Sequence, residues 1–204
     1  MVSISLDEAI ERARRLGGSS GRRILGIAAP PGAGKSTIAE AVVATLGPAA
    51  AVCVPMDGYH LANRVLDALG RRDRKGAPDT FDAAGYAALL GRLRAADEPI
   101  VYAPAFRREI EEPIAGAIAV PREVPLVVTE GNYLLLWPEL QGLLDEAWFI
   151  EVDDGARVDR LVARHVGFGK SPSDARAWVL RSDEANARLV ATTRSGADVI
   201  VRGA

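Results

Sequence analysis

At 204 residues, 49% apolar and 25% charged, the chain can bury one sizeable core, with room for a small lid. Its formal net charge of −2 gives no global pull toward nucleic acid or an anionic membrane, so any basic chemistry has to be local. A single cysteine, Cys53, excludes an internal disulfide framework and a cysteine-based zinc site, and no apolar run approaches membrane-spanning length. The early charges Asp7, Glu8, Glu11, Arg12, Arg14 and Arg15 do not suit the apolar core of a signal peptide, which makes the cytoplasm the expected compartment.

Ser5-Leu6-Asp7-Glu8 is a capping box that opens a helix over about 5–17, stopped by Gly17-Gly18. Ile24, Leu25, Ile27 and Ala28 form a short buried strand that breaks at Pro30-Pro31-Gly32. Gly34-Lys35-Ser36-Thr37 then opens a helix with Ile38, Ala39, Val42, Val43 and Leu46 on one side. Strand, glycine loop, Gly-Lys-Ser and helix together are a phosphate-binding loop. Glycine lets Gly32, Ala33, Gly34, Lys35, Ser36 and Thr37 turn their N–H groups onto phosphate oxygens, and the helix N-terminus adds unpaired donors. Lys35 is placed to neutralise β- and γ-phosphates, and the Ser36 hydroxyl is a hard oxygen ligand for Mg²⁺. Ala29 stands where the pattern has its first glycine, a substitution that works if the local φ is negative.

Residues 50–55 read as a second buried strand ending in Met56-Asp57-Gly58-Tyr59-His60, with a helical segment over 61–69 behind it. Residues 70–80 are an exposed loop, and the run Arg71, Arg72, Arg74, Lys75 reads as loop surface. Tyr86, Leu89, Leu90 and Leu93 mark a helix to Arg94; the prolines of 99–122 point to short strands or a hairpin. A third buried strand over 125–129 ends at Glu130, and a fourth over 147–152 ends at Asp153-Asp154, which suit a helix N-terminus. That helix, about 156–165, stops at Gly167-Phe168-Gly169-Lys170; Ser171 and Pro172 begin the next, and 197–201 is a fifth strand. Alternating strands and helices predict a three-layer α/β/α fold in one domain. It has a five-stranded parallel sheet, an acceptor-site insertion over about 57–122 and a lid over about 155–180.

In such a sheet the C-terminal strand ends share one crevice. Lys35 and Ser36, Asp57, and Glu130 each follow a strand, so a cation, a hydroxyl and two carboxylates are brought together. Asp57 reads either as a general base for an attacking hydroxyl or as a helix N-cap. Glu130 reads as a Mg²⁺ or acceptor ligand or as a structural acid. Arg157, Arg160 and Arg164, at i, i+3 and i+7, read as a phosphate clamp or a solvated face. His60 and His165 are too far apart for a local metal motif.

The chain resembles the uridine kinase, phosphoribulokinase and bacterial pantothenate kinase group of P-loop kinases, nearest the branch called nucleoside/nucleotide kinase-like or fructose-transport-system kinase. The resemblance is carried by APPGAGKST (29–37), PMDGYHLAN (55–63), RKGAPDTFD (74–82), PAFRREIEEP (104–113), EGNYLLL (130–136), RLVARH (160–165) and SDEANARLV (182–190). It implies that Asp57 is the catalytic base, that Lys35 and Ser36 hold ATP·Mg²⁺, and that Arg160 and Arg164 are lid arginines reaching the phosphates. It places Tyr59, His60, Lys75, Phe81, Arg108, Glu130, Asn132 and Tyr133 on the acceptor side, with Asp79 and Asp82 nearby. The branch commonly has P-x-F-D-R where this chain has Arg107 in place of the aspartate. The implied partner is a small-molecule hydroxyl acceptor, nucleoside-, pantothenate- or sugar-like, and the implied assembly a homodimer. The alternative is a nucleotide-dependent regulatory or transport-accessory NTPase. Neither an N-K-x-D guanine-reading motif nor an LSGGQ-like signature is present.

Overall fold

The structure is a computed structural model and describes residues 2–202. Strand β1 (Val2–Ile4) leads into α1 (Leu6–Gly17), β2 (Arg23–Ala28), α2 (Lys35–Leu46) and β3 (Ala51–Cys53). A 3₁₀ turn (Met56–Tyr59), α3 (Asn63–Ala68) and α4 (Ala83–Ala95) precede an antiparallel hairpin of β4 (Ile100–Arg107) and β5 (Glu112–Pro121). The chain returns to the sheet with β6 (Leu126–Gly131) and β7 (Glu146–Glu151). It then runs through α5 (Asp154–Gly167), α6 (Pro172–Trp178), a π-helical turn (Val179–Asp183) and α7 (Glu184–Ala191) to β8 (Val199–Arg202).

The main sheet is parallel throughout, in the order β1-β8-β7-β2-β6-β3. It therefore has six strands rather than five. The extra edge strand, Val2–Ile4, pairs in register with Val199–Val201. Three residues beside a capping box carry no periodicity of their own, and only pairing with the far end of the chain makes them a strand. The capping box itself forms: the Ser5 and Glu8 side chains each satisfy the other's backbone N–H.

Alternate residues of the strands feed two cores, as the period of two requires. Ile24, Val127, Phe149 and Ile200 face α4 and the aromatic group of Tyr86, Tyr133 and Trp137. Leu25, Ile27, Trp148 and Val201 face α1 and α2. Burial on both faces explains why these strands read as continuous apolar runs. Cys53 is part of this packing, and burial pushes its thiol up to about 12, so it stays an unreactive SH group at neutral pH.

β2 lies at the centre, with β6 on one side and β7 on the other. The loop after it therefore opens between neighbouring strand ends, where open α/β sheets hold their ligands.

Candidate active site

The loop between β2 and α2 is shaped by two glycines in the left-handed region, Gly32 at φ 80° and Gly34 at φ 86°. A Cβ on Gly32 would stand 2.7 Å from Leu161 Cγ and 2.8 Å from the Arg157 carbonyl oxygen, so α5 packs directly on the loop. Ala29 is fully buried and is not among the positive-φ residues, which is why its methyl is accommodated where the pattern has glycine. Lys35 begins α2 and folds back over the loop. Its Nζ donates to the carbonyls of Ala29 and Pro30 at 3.1 Å and to Asn132 Oδ1 at 2.7 Å. Burial outweighs the nearby Glu130 and Asp57 and draws the ammonium down to about 8.

At the end of β6, buried Glu130 accepts a hydrogen bond from Ser36 Oγ at 2.9 Å. Burial first, and then the charge of Asp57, raises the Glu130 carboxyl above its ordinary value. Asp57 goes the other way: burial pushes it up, but His60, Arg108, Lys35 and Arg164 around it pull it down further. Asp57 caps no helix, since the N-cap of the 3₁₀ turn is Pro55 and that of α3 is Ala62. Its carboxylate instead accepts from Arg108 Nη2 at 3.1 Å. Gly58 allows this pairing: a Cβ there would lie 2.4 Å from the Pro104 carbonyl oxygen, so the hairpin bearing Arg108 packs against the Asp57 turn.

These groups open into one cavity of about 370 Å³. The loop contributes Gly32, Lys35 and Ser36, and the strand ends contribute Asp57, Glu130 and Asn132. His60, Phe81 and Arg108 join from the insertion, as do Arg72 and Lys75, so part of the basic run assigned to loop surface faces the cavity. Arg74 and Arg71 instead pair with Asp79, and Asp82 caps α4 through Gly85 N, which leaves those acids structural. His60 is held between Phe81 and Phe106, with ring centroids 4.0 and 4.5 Å away, and its Nδ1–H donates to the Asp57 carbonyl. Burial lowers its basicity below the ordinary imidazole value, against the opposing pull of the Asp57 carboxylate.

Tyr59 and Tyr133 do not line the cavity. Tyr59 packs on Tyr86 at 5.3 Å. Tyr133 is fully buried and donates its hydroxyl to the Gly76 carbonyl at 2.6 Å. Asn186 from α7 reaches the same carbonyl, which ties the loop before α4 to α7. Both aromatics belong to the wall behind the site.

The three arginines of α5 part company. Arg157 is almost fully buried and pairs with Glu184 at 2.5 Å and Asp154 at 3.1 Å, so it is neither a clamp nor a solvated residue. Arg164 faces the main cavity. Arg160 lines a second cavity, of about 610 Å³, with Ala33, Gly34 and Thr37 on the other side of the phosphate loop. At about 100° per residue, i and i+7 nearly coincide, whereas i+3 lies about 60° away. Ser3–Leu6 and Arg202, from the paired chain ends, complete that second cavity.

Five further residues line the cavity without being among the expected site residues: Phe106, Glu111, Lys170, Trp178 and Asp183. Asp183 ends the π-helical turn, a feature frequent at functional sites, and accepts from His165 Nε2 at 3.0 Å. Lys170 lies over the Trp178 ring at 4.8 Å. Phe106 and Glu111 come from the hairpin and the other three from the segment after β7, so only tertiary packing gathers them. Among the described residues no cluster of three His, Cys, Asp or Glu side chains forms a metal cage. The Ser36–Glu130 pair does offer the few hard oxygens that Mg²⁺ takes when phosphates and water complete its shell.

No protein-family model matches the chain. It is 36% identical to the uncharacterized protein YggC of Escherichia coli K12, over 88% of this chain and 77% of that one. It is 36% identical to the ATP-dependent kinase-like protein notR' of Aspergillus versicolor, over 72% of this chain and 94% of that one. A provisionally named fructose transport system kinase from Silicibacter sp. TM1040 superposes with a TM-score of 0.86 at 34% identity, covering 97% and 98% of the two chains. No helix among the described residues is long and apolar enough to cross a membrane. On these similarities the chain belongs to the P-loop kinase family, in the branch of the ATP-dependent kinase-like proteins and the fructose transport system kinase.

Proposed function

We propose that the protein transfers the γ-phosphoryl group of ATP to a hydroxyl of a small molecule, with Asp57 as general base. The observation that carries this reading is the meeting of Lys35, the Ser36–Glu130 pair and Asp57 in one cavity. The triphosphate lies along the N–H groups of Gly32–Ser36, and the nucleoside extends into the second cavity beside Thr37 and Arg160. Ser36 and Glu130 would hold Mg²⁺, whose charge offsets that of the β- and γ-phosphates. The acceptor lies among His60, Phe81, Arg108 and Asn132, with its hydroxyl against Asp57. Its oxygen forms the new bond to phosphorus as its proton passes to Asp57, and the bond to the leaving ADP oxygen breaks. Arg164 reaches the transferring group from the lid.

Incubation with γ-labelled ATP and a panel of nucleosides, pantothenate and sugars tests the reading. Label should move to an alcohol. Phosphate release that no alcohol changes would point instead to a regulatory or transport-accessory NTPase.

Nucleotide binding should also be proton-linked. Lys35 in the free protein is drawn to about 8, and a bound phosphate favours its charged form. Affinity is then constant below pH 8 and falls above it, with uptake of a proton. Calorimetry at pH 7 to 9.5 in buffers of different ionisation heat measures this, and a pH-independent affinity would contradict the assignment of Lys35 to the phosphates.

A further inference from the structure

We infer that the acceptor carries a negative charge of its own, a carboxylate or a phosphate ester, and that Arg108 and Lys75 form the subsite for it. The inference rests on the reading of Asp57 as base and extends it to the class of acceptor.

Arg108 and Lys75 converge from different parts of the insertion, one at the end of β4 and one in the loop before α4. They lie over the same ring: Lys75 Nζ is 5.1 Å and Arg108 Cζ 5.9 Å from the centroid of Phe106. Both also line the same cavity, so an anion held there meets cations from two separate segments. Lys75 is fixed by neutral oxygens, Asn63 Oδ1 at 2.6 Å and the Glu111 carbonyl, while the Glu112 and Glu111 carboxylates act on its charge from nearby without hydrogen-bonding it. Arg108 has its one ion pair among the described residues with Asp57. In the free protein one guanidinium nitrogen rests on one oxygen of the base, so an attacking hydroxyl has to share that carboxylate with Arg108. A ligand anion relieves this by taking the planar fork of Arg108 in two parallel hydrogen bonds and freeing Asp57.

The charge balance agrees. The chain as a whole carries −2, yet the cavity is lined by six Lys and Arg against four Asp and Glu. Lys35, Arg164 and Lys170 come from the loop and the lid and are placed for the nucleotide. The insertion side of the cavity then has Arg72, Lys75 and Arg108 against Asp57 and Glu111, an excess of one cation that a neutral alcohol leaves uncompensated.

The first test compares alcohols that differ in charge: glycerol with glycerate, ribose with ribose 5-phosphate, and pantothenol with pantothenate. The charged member of a pair should show kcat/KM at least 100-fold higher, and Arg108→Met should raise its KM tenfold or more, with Arg108→Lys recovering part of the loss. Preference for the neutral member overturns the inference while leaving the kinase reading in place. The second test needs no turnover. With a non-hydrolysable ATP analogue and Mg²⁺ bound, malonate and inorganic phosphate are titrated calorimetrically. Saturable binding that Arg108→Met or Lys75→Met weakens at least tenfold supports the subsite. Binding that is absent, or indifferent to both substitutions, overturns it.

Discussion

Asp57→Asn should lower the transfer rate by about 10²–10⁴-fold, the range a positioned general base contributes, while nucleotide affinity changes by no more than about threefold. Asparagine keeps the shape and can still accept from Arg108, so the packing of the hairpin on the Asp57 turn survives. What it lacks is a carboxylate able to take the hydroxyl proton. Single-turnover transfer from labelled ATP and a nucleotide titration separate the two effects. Near-normal transfer would show that Asp57 is not the base. The pH profile gives a second check. His60, Arg108, Lys35 and Arg164 overcome burial and hold Asp57 below its ordinary value. Its base form is therefore complete at neutral pH, and the acid limb it governs should lie below the usual aspartate range of about 3.9. The limb should move upward in Arg108→Met.

Gly32→Ala should have the largest effect on the donor half of the site. An alanine held at φ 80° costs about 1–2 kcal/mol. Its methyl also meets Leu161 and the Arg157 carbonyl at 2.7 and 2.8 Å, where overpacking costs about 1–3 kcal/mol more. The sum of about 2–5 kcal/mol corresponds to a fall in Tm of about 4–20 °C for a chain of this size. If the loop moves to relieve the contact, the N–H groups leave their phosphate geometry, and nucleotide affinity should drop at least tenfold. Gly34→Ala is the control for stability: φ is 86° there, but an added Cβ meets nothing within 4 Å. It should lose only the backbone share. Equal losses of Tm in the two variants would mean that α5 does not press on the loop as described.

The donor half was the more legible part of the site. Lys35, Ser36 and the glycines lie within one strand–turn–helix, and their geometry follows from neighbouring residues. The strand-end rule brought Asp57 and Glu130 to the same crevice, because buried strands announce themselves as apolar runs and a parallel sheet puts their ends side by side. The acceptor half was less legible. Arg72 and Lys75 sit in a polar loop that looks like any solvated turn until Tyr133 and Asn186 fasten it at Gly76. Arg157 and Arg160 show the same limit on a helix. Periodicity gives the direction of a side chain, but Glu184 on another helix makes Arg157 a buried partner.

The phosphate-binding loop, the alternation of strands with helices and the strand-end acids were determined by the sequence itself, since each depends on contacts within a few residues or on the period of burial. Tertiary structure alone decided the rest. The sixth strand needs residues 2–4 to meet 199–201. The two insertion cations meet over Phe106 only because Gly58 lets the hairpin settle on the Asp57 turn. Such arrangements depend on which distant surfaces pack together, and no local pattern of residues encodes that choice.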